Sequence, residues 1–212
     1  MENRRYVEFS LEEFSNEVAA KKTMPGGGSV AAYCSSLSSA LASMVGNFTV
    51  GKKKYQQYDE DVKVIIEKAK EYEKISLDLV DEDVEAYLPL SNAYKLPSDT
   101  EEEKKLKQHT IQDCLKVAAS VPLRTLQISN EILKLHEELL VKGSNMLISD
   151  VGVGVMMLKA SVLSAKLNIL INIKYIDDES FVNEYKLELE SLEKKICDSC
   201  DRIYQSVVEK LI

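Results

Sequence analysis

The chain has 212 residues, of which 45% are hydrophobic and 29% are charged, and its formal net charge is −8. These values fit a globular protein with one core, and the acidic balance argues against broad nucleic-acid binding. The start of the chain, up to Phe9, lacks the apolar segment of a signal peptide, and Lys159 and Lys166 interrupt the longest apolar region. We therefore expect one cytoplasmic domain over residues 1–212, without a membrane span.

Glycine and proline are scarce, no stretch alternates as a strand does, and helix-start signals recur along the chain. The predicted helices, each given by its start signal and approximate end, are Ser10 with Glu13 to Lys22, Ser29 to Gly51, Asp59 to Tyr94 with a kink at Pro89, Thr100 with Glu103 to Ser120, one that Pro122 either starts or kinks and that ends near Gly143, Ser149-Asp150 to Tyr175, and Asp177-Asp178 to the C-terminus. The pattern predicts an all-α bundle of six or seven helices joined by short turns.

The second predicted helix carries small residues at Ala32, Ser36, Ala40 and Ser43. Side chains of this size let another helix approach closely, and we interpret the stripe as packing, with a dimer interface as one place for it. The fold expected from the sequence is thus a helical bundle that forms a dimer.

Neither the cysteines nor the histidines indicate a metal site. Cys197 and Cys200 form a lone C-x-x-C in a charged helical pattern, without the second pair or nearby histidines that zinc would need. His109 and His136 are far apart and lie in charged helical surroundings. We predict no metal and no disulfide framework.

Asp83 is a carboxylate that the helical pattern places among apolar side chains. At about 100° per residue it falls near the middle of the apolar face of its helix, whereas Asp78, Asp81 and Glu85 point to the opposite side, towards solvent. Burial of a carboxylate is costly and raises its pKa towards the range that is useful for proton transfer. The pattern fits either a catalytic group or a core aspartate held by a partner.

Three glycines, Gly26, Gly27 and Gly28, come directly before the helix that Ser29 opens. Glycines allow close backbone approach, and a helix start offers free N–H groups and a positive dipole end. The segment therefore suits a carboxylate, a phosphate or a polar ring edge. The alternative is a flexible turn with a serine cap.

Two further groups of residues are candidates for ligand binding. Lys52, Lys53 and Lys54 form a basic cluster that either receives an anionic tail or interacts with a helix C-terminus. Asn168 and Asn172 share one face of an apolar helix, where buried amides must find partners. They either hold a polar ligand or bridge helices.

Taken together and in this order, the motifs resemble the formiminotetrahydrofolate cyclodeaminase family, which includes methenyltetrahydrofolate cyclohydrolases. The matching segments, which span nearly the whole chain, are Pro25-Gly-Gly-Gly-Ser-Val-Ala-Ala32, Ser43-Met-Val-Gly46, Gly51-Lys-Lys-Lys-Tyr55, Asp81-Glu-Asp-Val-Glu-Ala-Tyr87, Tyr94-Lys-Leu-Pro97, Ser120-Val-Pro-Leu123, Ser149-Asp150 and Asn168-Ile-Leu-Ile-Asn172. One departure is Gly143-Ser144-Asn145, where many members read Gly-Asn, so ligand contacts are not carried over to that loop.

The resemblance implies an all-helical homodimer that closes 5-formiminotetrahydrofolate to 5,10-methenyltetrahydrofolate and releases ammonia, without a metal or redox cofactor. It implies that Asp83, which matches the family's essential aspartate, transfers the protons. The folate would be held by the Gly26–Gly28 loop and Ser29. Its glutamate tail would meet Lys52, Lys53 and Lys54, and its pterin edge would meet Asp150, Asn168 and Asn172.

Two alternatives stay open from the sequence. One is methenyltetrahydrofolate cyclohydrolase, in which water attacks the same carbon and the ring opens. The other is a non-catalytic, folate-binding helical dimer. A host that degrades histidine through formiminoglutamate would favour the cyclodeaminase, which would then depend on a separate formiminotransferase. The glutamate chain length of the substrate is also left open.

Overall fold

The computed structural model describes residues 4–212, so the first three residues of the segment tested for a signal peptide lie outside the described part. Its six α-helices are α1 Leu11–Ala19, α2 Gly27–Asn47, α3 Asp59–Ala93, α4 Glu101–Lys142, α5 Ile148–Ile173 and α6 Glu179–Leu211. Short 3-10 turns occupy Tyr6–Glu8, Lys53–Tyr58 and Asn145–Leu147. Residues 4–212 contain no strand, which confirms the predicted all-α class.

Local capping signals set most helix starts as predicted. The capping boxes at Ser10 and Thr100 both form, and the Asp178 carboxylate accepts a hydrogen bond from the Phe181 N–H to cap α6. The predicted start at Ser29 is wrong by two residues, because Gly26 is the N-cap of α2.

The predicted break between Ser120 and Pro122 is also wrong, because α4 is one helix that runs through Pro122 to Lys142. A proline inside a helix removes one backbone hydrogen bond. Packing of α4 against α3, α5 and α6 keeps the chain helical across this point.

The core lies between α2, α3, α4 and α5, and α6 covers α4 and α5. The segment Asn145–Ile173 is the one stretch of the described chain that is long and apolar enough to cross a membrane, with a mean hydropathy of 1.7. A central helix of a bundle has the same composition, and α5 packs against α2, α4 and α6.

Two predictions concern small and polar residues that now lie in this core. Ala32, Ser36 and Ser43 of the small-residue stripe are buried inside the subunit, so the stripe packs within one chain. The predicted charged surroundings of His136 are wrong, because its side chain is fully buried and its Nε2 lies 3.0 Å from Ser38 Oγ. Burial lowers the pKa of His136 to about 4.

Candidate active site

The centre of the site is the contact between Asp83 on α3 and the first turn of α2. Asp83 Oδ2 accepts hydrogen bonds from the Ser29 backbone N–H at 2.9 Å and from Ser29 Oγ at 3.2 Å. Gly28 lies so close to the carboxylate that a Cβ there would overlap it. The glycine and the free N–H groups of the helix start therefore let a carboxylate sit on the end of α2.

The electrostatics of Asp83 favour a proton-transferring group. Burial raises the pKa of Asp83, and the hydrogen bonds from the Ser29 hydroxyl and N–H lower it by a smaller amount. No cation pairs with the carboxylate among residues 4–212. A carboxyl in this state can accept a proton and return it at a higher pH than an exposed aspartate could.

Asp83 opens into a cavity of about 210 Å³ between α2, α3, α4 and α5. The residues that line it are Thr23, Met24, Gly26, Gly27, Gly28, Asp83, Tyr87, Ala118, Asn168, Ile171 and Asn172. The predicted loop glycines, Asp83 and both asparagines thus meet at one place. Within this lining, Asp83 is the only residue with a charged side chain.

The two asparagines of α5 form another part of the cavity wall. Asn168 Nδ2 donates to the Ser164 carbonyl at 2.9 Å, and Asn172 Nδ2 donates to the Asn168 carbonyl at 2.8 Å. Asn172 Nδ2 also lies 3.4 Å from the Ala118 carbonyl oxygen on α4. The asparagines hold their own backbone and a neighbouring helix, and they border the cavity at the same time.

The sequence missed the other lining residues, of which Tyr87 was the easiest to find. It lies four residues after Asp83 and therefore one helical turn along the same face. Ala118 and Met24 carry no signal in the sequence, because small or apolar side chains in a helix or turn usually indicate packing alone.

The expectation that Asp81 faces solvent is wrong. Its side chain is buried, its Oδ1 accepts from the Tyr6 backbone N–H at 2.6 Å, and its Oδ2 lies 3.2 Å from Arg5 Nε. The N-terminal segment lies over this side of α3 and covers the carboxylate. Asp81 thus anchors that segment and does not reach the cavity.

Two predicted groups lie at the other end of the bundle. Lys52, Lys53 and Lys54 follow the C-terminus of α2, about 30 Å along the helix from Gly28. Asp150 is in the first turn of α5, about 27 Å from Asn168 on the same helix. Lys52 Nζ instead lies 3.2 Å from Ser144 Oγ. Within one subunit these residues do not join the cavity.

The chain is similar to known proteins over most of its length. Residues 10–191 match the family model described as formiminotransferase-cyclodeaminase. A methenyltetrahydrofolate cyclohydrolase from Methylorubrum extorquens is 38% identical over 95% of this chain and 97% of its own length. The formimidoyltransferase-cyclodeaminase of Rattus norvegicus is 33% identical over 88% of this chain, which spans 34% of that relative. The crystal structure of formiminotetrahydrofolate cyclodeaminase from Thermotoga maritima superposes with a TM-score of 0.87 at 33% identity, over 97% of this chain and 98% of that one.

Proposed function

The chain belongs to the formiminotransferase-cyclodeaminase family of folate one-carbon enzymes, and we propose that it hydrolyses 5,10-methenyltetrahydrofolate to 10-formyltetrahydrofolate. The observation that carries the proposal is the unpaired carboxylate of Asp83, held by Ser29 at the edge of the cavity. The full-length similarity to a cyclohydrolase supports water as the attacking group.

The chemistry needs one group that takes up and returns a proton. Water attacks the methenyl carbon that joins N5 and N10, and Asp83 accepts a proton from that water. When the bond between this carbon and N5 breaks, Asp83 returns the proton to N5, while the remaining hydroxyl becomes the formyl oxygen and loses its proton to solvent. A carboxyl with a raised pKa suits both steps.

The charge of the cavity suits the substrate. The N–C–N unit of 5,10-methenyltetrahydrofolate carries a positive charge, and Asp83 is the only charged residue of the lining. A carboxylate close to that unit stabilises the bound cation. The Gly26–Gly28 loop leaves room for the ring system, and Asn168 and Asn172 offer polar contacts to its edge.

The second candidate is the cyclodeaminase, and the similarity to the Thermotoga maritima structure favours it. Folate N10 would attack the formimino carbon, Asp83 would take the N10 proton, and the leaving nitrogen would receive it and depart as ammonia. The sequence favoured this reaction first. The hydrolysis of 5,10-methenyltetrahydrofolate ranks above it because the cyclohydrolase relative has the higher identity over nearly the full length of both chains.

One experiment separates the candidates. The purified protein is given 5,10-methenyltetrahydrofolate or 5-formiminotetrahydrofolate, and methenyl absorbance and ammonia are followed, with Asp83→Asn as the control for background chemistry. Hydrolysis by the wild type alone supports the cyclohydrolase. Ammonia release without hydrolysis supports the cyclodeaminase. Folate binding with neither activity would leave a binding protein and refute both.

We further propose a homodimer through one face of α2 and α5. The half-buried and exposed residues of this surface are uncharged and follow helical spacing; they are Val30, Cys34, Leu37, Leu41, Met44 and Phe48 on α2 and Val153, Met157, Ala160, Ser164, Leu167 and Ile171 on α5. Two adjacent apolar helix faces that nothing in the subunit covers match the interface of a helical bundle.

Leu167→Glu should yield monomers in sedimentation velocity. Leu187 on α6 is a leucine of similar exposure outside this surface, so Leu187→Glu should leave the dimer intact.

A two-fold axis near the middle of this surface would place opposite ends of the two copies side by side. Because α2 and α5 are antiparallel, the Lys52 and Asp150 end of one copy would lie beside the cavity of the other. This arrangement would bring Lys52, Lys53 and Lys54 to the glutamate tail of a folate bound in the second copy.

A mixture of Asp83→Asn and Lys52→Ala subunits should then regain activity, because a mixed dimer keeps one site with both native residues. If the two variants are inactive alone and their mixture is inactive as well, the arrangement is contradicted.

A further inference from the structure

The two asparagines of the cavity wall have a defined orientation. A backbone carbonyl oxygen is an acceptor without a donor, so the contacts of Asn168 and Asn172 to the Ser164, Asn168 and Ala118 carbonyls require that Nδ2 faces those carbonyls. In the described chain no hydrogen bond reaches either Oδ1 atom. Both asparagines therefore offer an Oδ1 acceptor to a ligand in the cavity, while Asn172 directs both of its N–H donors at the protein and Asn168 directs one of its two.

The Ala118 carbonyl is free for this contact because of Pro122. In an α-helix the carbonyl of residue 118 accepts from the N–H of residue 122, and proline has no N–H. The helix continues through Pro122, so the Ala118 carbonyl remains at the cavity wall without its usual donor. Asn172 Nδ2 lies 3.4 Å from this oxygen.

We propose that Pro122 is a positioning residue: it leaves the Ala118 carbonyl open to the Asn172 amide and thereby ties the acceptor wall on α5 to α4. The wall then recognises a ring edge that carries neighbouring N–H donors, such as the 2-amino pyrimidine edge of a pterin. This inference rests on the proposed function for the identity of the ligand. Pro122→Ala supplies an N–H that binds the Ala118 carbonyl, so the Asn172 amide loses its partner on α4 and keeps only its bond to the Asn168 carbonyl of its own helix.

The chain contains a matched control in Pro89, which also lies inside a helix. Its missing N–H frees the carbonyl of Glu85, and Glu85 is not part of the cavity lining. Pro89→Ala therefore makes the same backbone change on α3 without a neighbouring asparagine of the cavity wall. A difference between the two variants isolates the contact at Ala118 from the general effect of a helix proline.

The test measures dissociation constants by calorimetry for 5-formyltetrahydrofolate and for its analogue without the 2-amino group. Pro122→Ala should weaken binding of the first ligand about fivefold, the value of one neutral hydrogen bond, and lose a similar factor of preference over the analogue. Pro89→Ala should keep the wild-type values. Asn172→Ala should lose the preference as well, and thermal melts show that each variant is folded.

The outcomes distinguish a failure of this inference from a failure of the proposed function. If Pro122→Ala or Asn172→Ala keeps the wild-type preference for the 2-amino ligand, the inference is wrong and the proposed function stands. If the wild-type protein binds neither folate, the proposed function fails and the inference fails with it. A loss of preference in both variants, with Pro89→Ala unchanged, supports Pro122 as the positioning residue.

Discussion

Asp81 and Asp83 lie two residues apart on α3, on nearly opposite sides of the helix, and they have different surroundings. Asp81 is buried under the N-terminal segment and has a cation, Arg5, and a backbone N–H as partners. Asp83 has no cation, and its partners are the N–H and hydroxyl of Ser29. A carboxylate that is paired with a cation keeps its charge and holds the structure, whereas an unpaired one at a cavity can exchange a proton.

The largest difference between the two should be in activity. Asp83→Asn keeps the shape of the side chain and removes the proton acceptor, so kcat should fall by a factor on the order of 10² to 10⁴. Asp81→Asn should keep kcat near the wild-type value, because Asp81 does not reach the cavity. Steady-state kinetics on the preferred folate substrate measures both. An active Asp83→Asn protein would remove this residue from the mechanism.

A substitution at Gly28 tests whether activity requires the close contact between α2 and the Asp83 carboxylate. In Gly28→Ala the new Cβ would overlap the Asp83 carboxylate and displace it, so kcat/KM should fall on the order of a hundredfold. Gly26→Ala is the comparison variant: it adds a Cβ to the same cavity lining without a protein neighbour closer than 3.9 Å, so it reports the effect of crowding the cavity alone. If both alanine variants behave alike, close contact between α2 and Asp83 is not what activity requires.

The loss of thermal stability should be larger for Asp81→Asn than for Asp83→Asn, which is the reverse of the expected order for the loss of activity. Asp81→Asn weakens the contacts to Arg5 and Tyr6 and should cost about 1 kcal/mol, or about 2–4 °C in Tm. Asp83→Asn should be as stable as the wild type at neutral pH or more stable, because the raised pKa means that folding disfavours the charged form. A large loss of Tm in Asp83→Asn would instead assign Asp83 a structural role.

The pH dependence should show the smallest effect. If Asp83 acts as a base, the rate falls as pH drops through its pKa, and the raised pKa moves that decline above the range of an exposed aspartate. Asp81→Asn should not move this acid limb. If the acid limb of the kcat/KM profile lies at a different pH in Asp81→Asn than in the wild type, the separation of roles between Asp81 and Asp83 is contradicted.

The sequence predicted those features that depend on neighbouring residues. The capping boxes at Ser10 and Thr100 and the position of Asp83 on the apolar face need only local spacing. The burial of Asp81 was missed because its cover, the segment with Arg5 and Tyr6, lies about 75 positions away along the chain.

Two further predictions had a different origin. The break at Pro122 was predicted from propensity, and the packing of α4 against three helices outweighs it. The assignment of Lys52 to the glutamate tail of a folate held at Gly28 came from the family resemblance and stays a prediction. The length of α2 alone separates these residues by about 30 Å, so the sequence already contained the reason against a site within one subunit.

His136 has a consequence for acid tolerance. Its pKa is about 4 in the folded chain and 6.5 when the side chain is free, so the unfolded chain takes up a proton in this interval and the folded chain does not. Stability therefore falls as pH drops from about 6.5 to about 4, by about 3 kcal/mol for this group. Asp83 acts in the opposite direction, since its raised pKa lets the folded chain gain a proton first. In mild acid the buried carboxyl of Asp83 thus partly offsets the loss of stability that His136 causes.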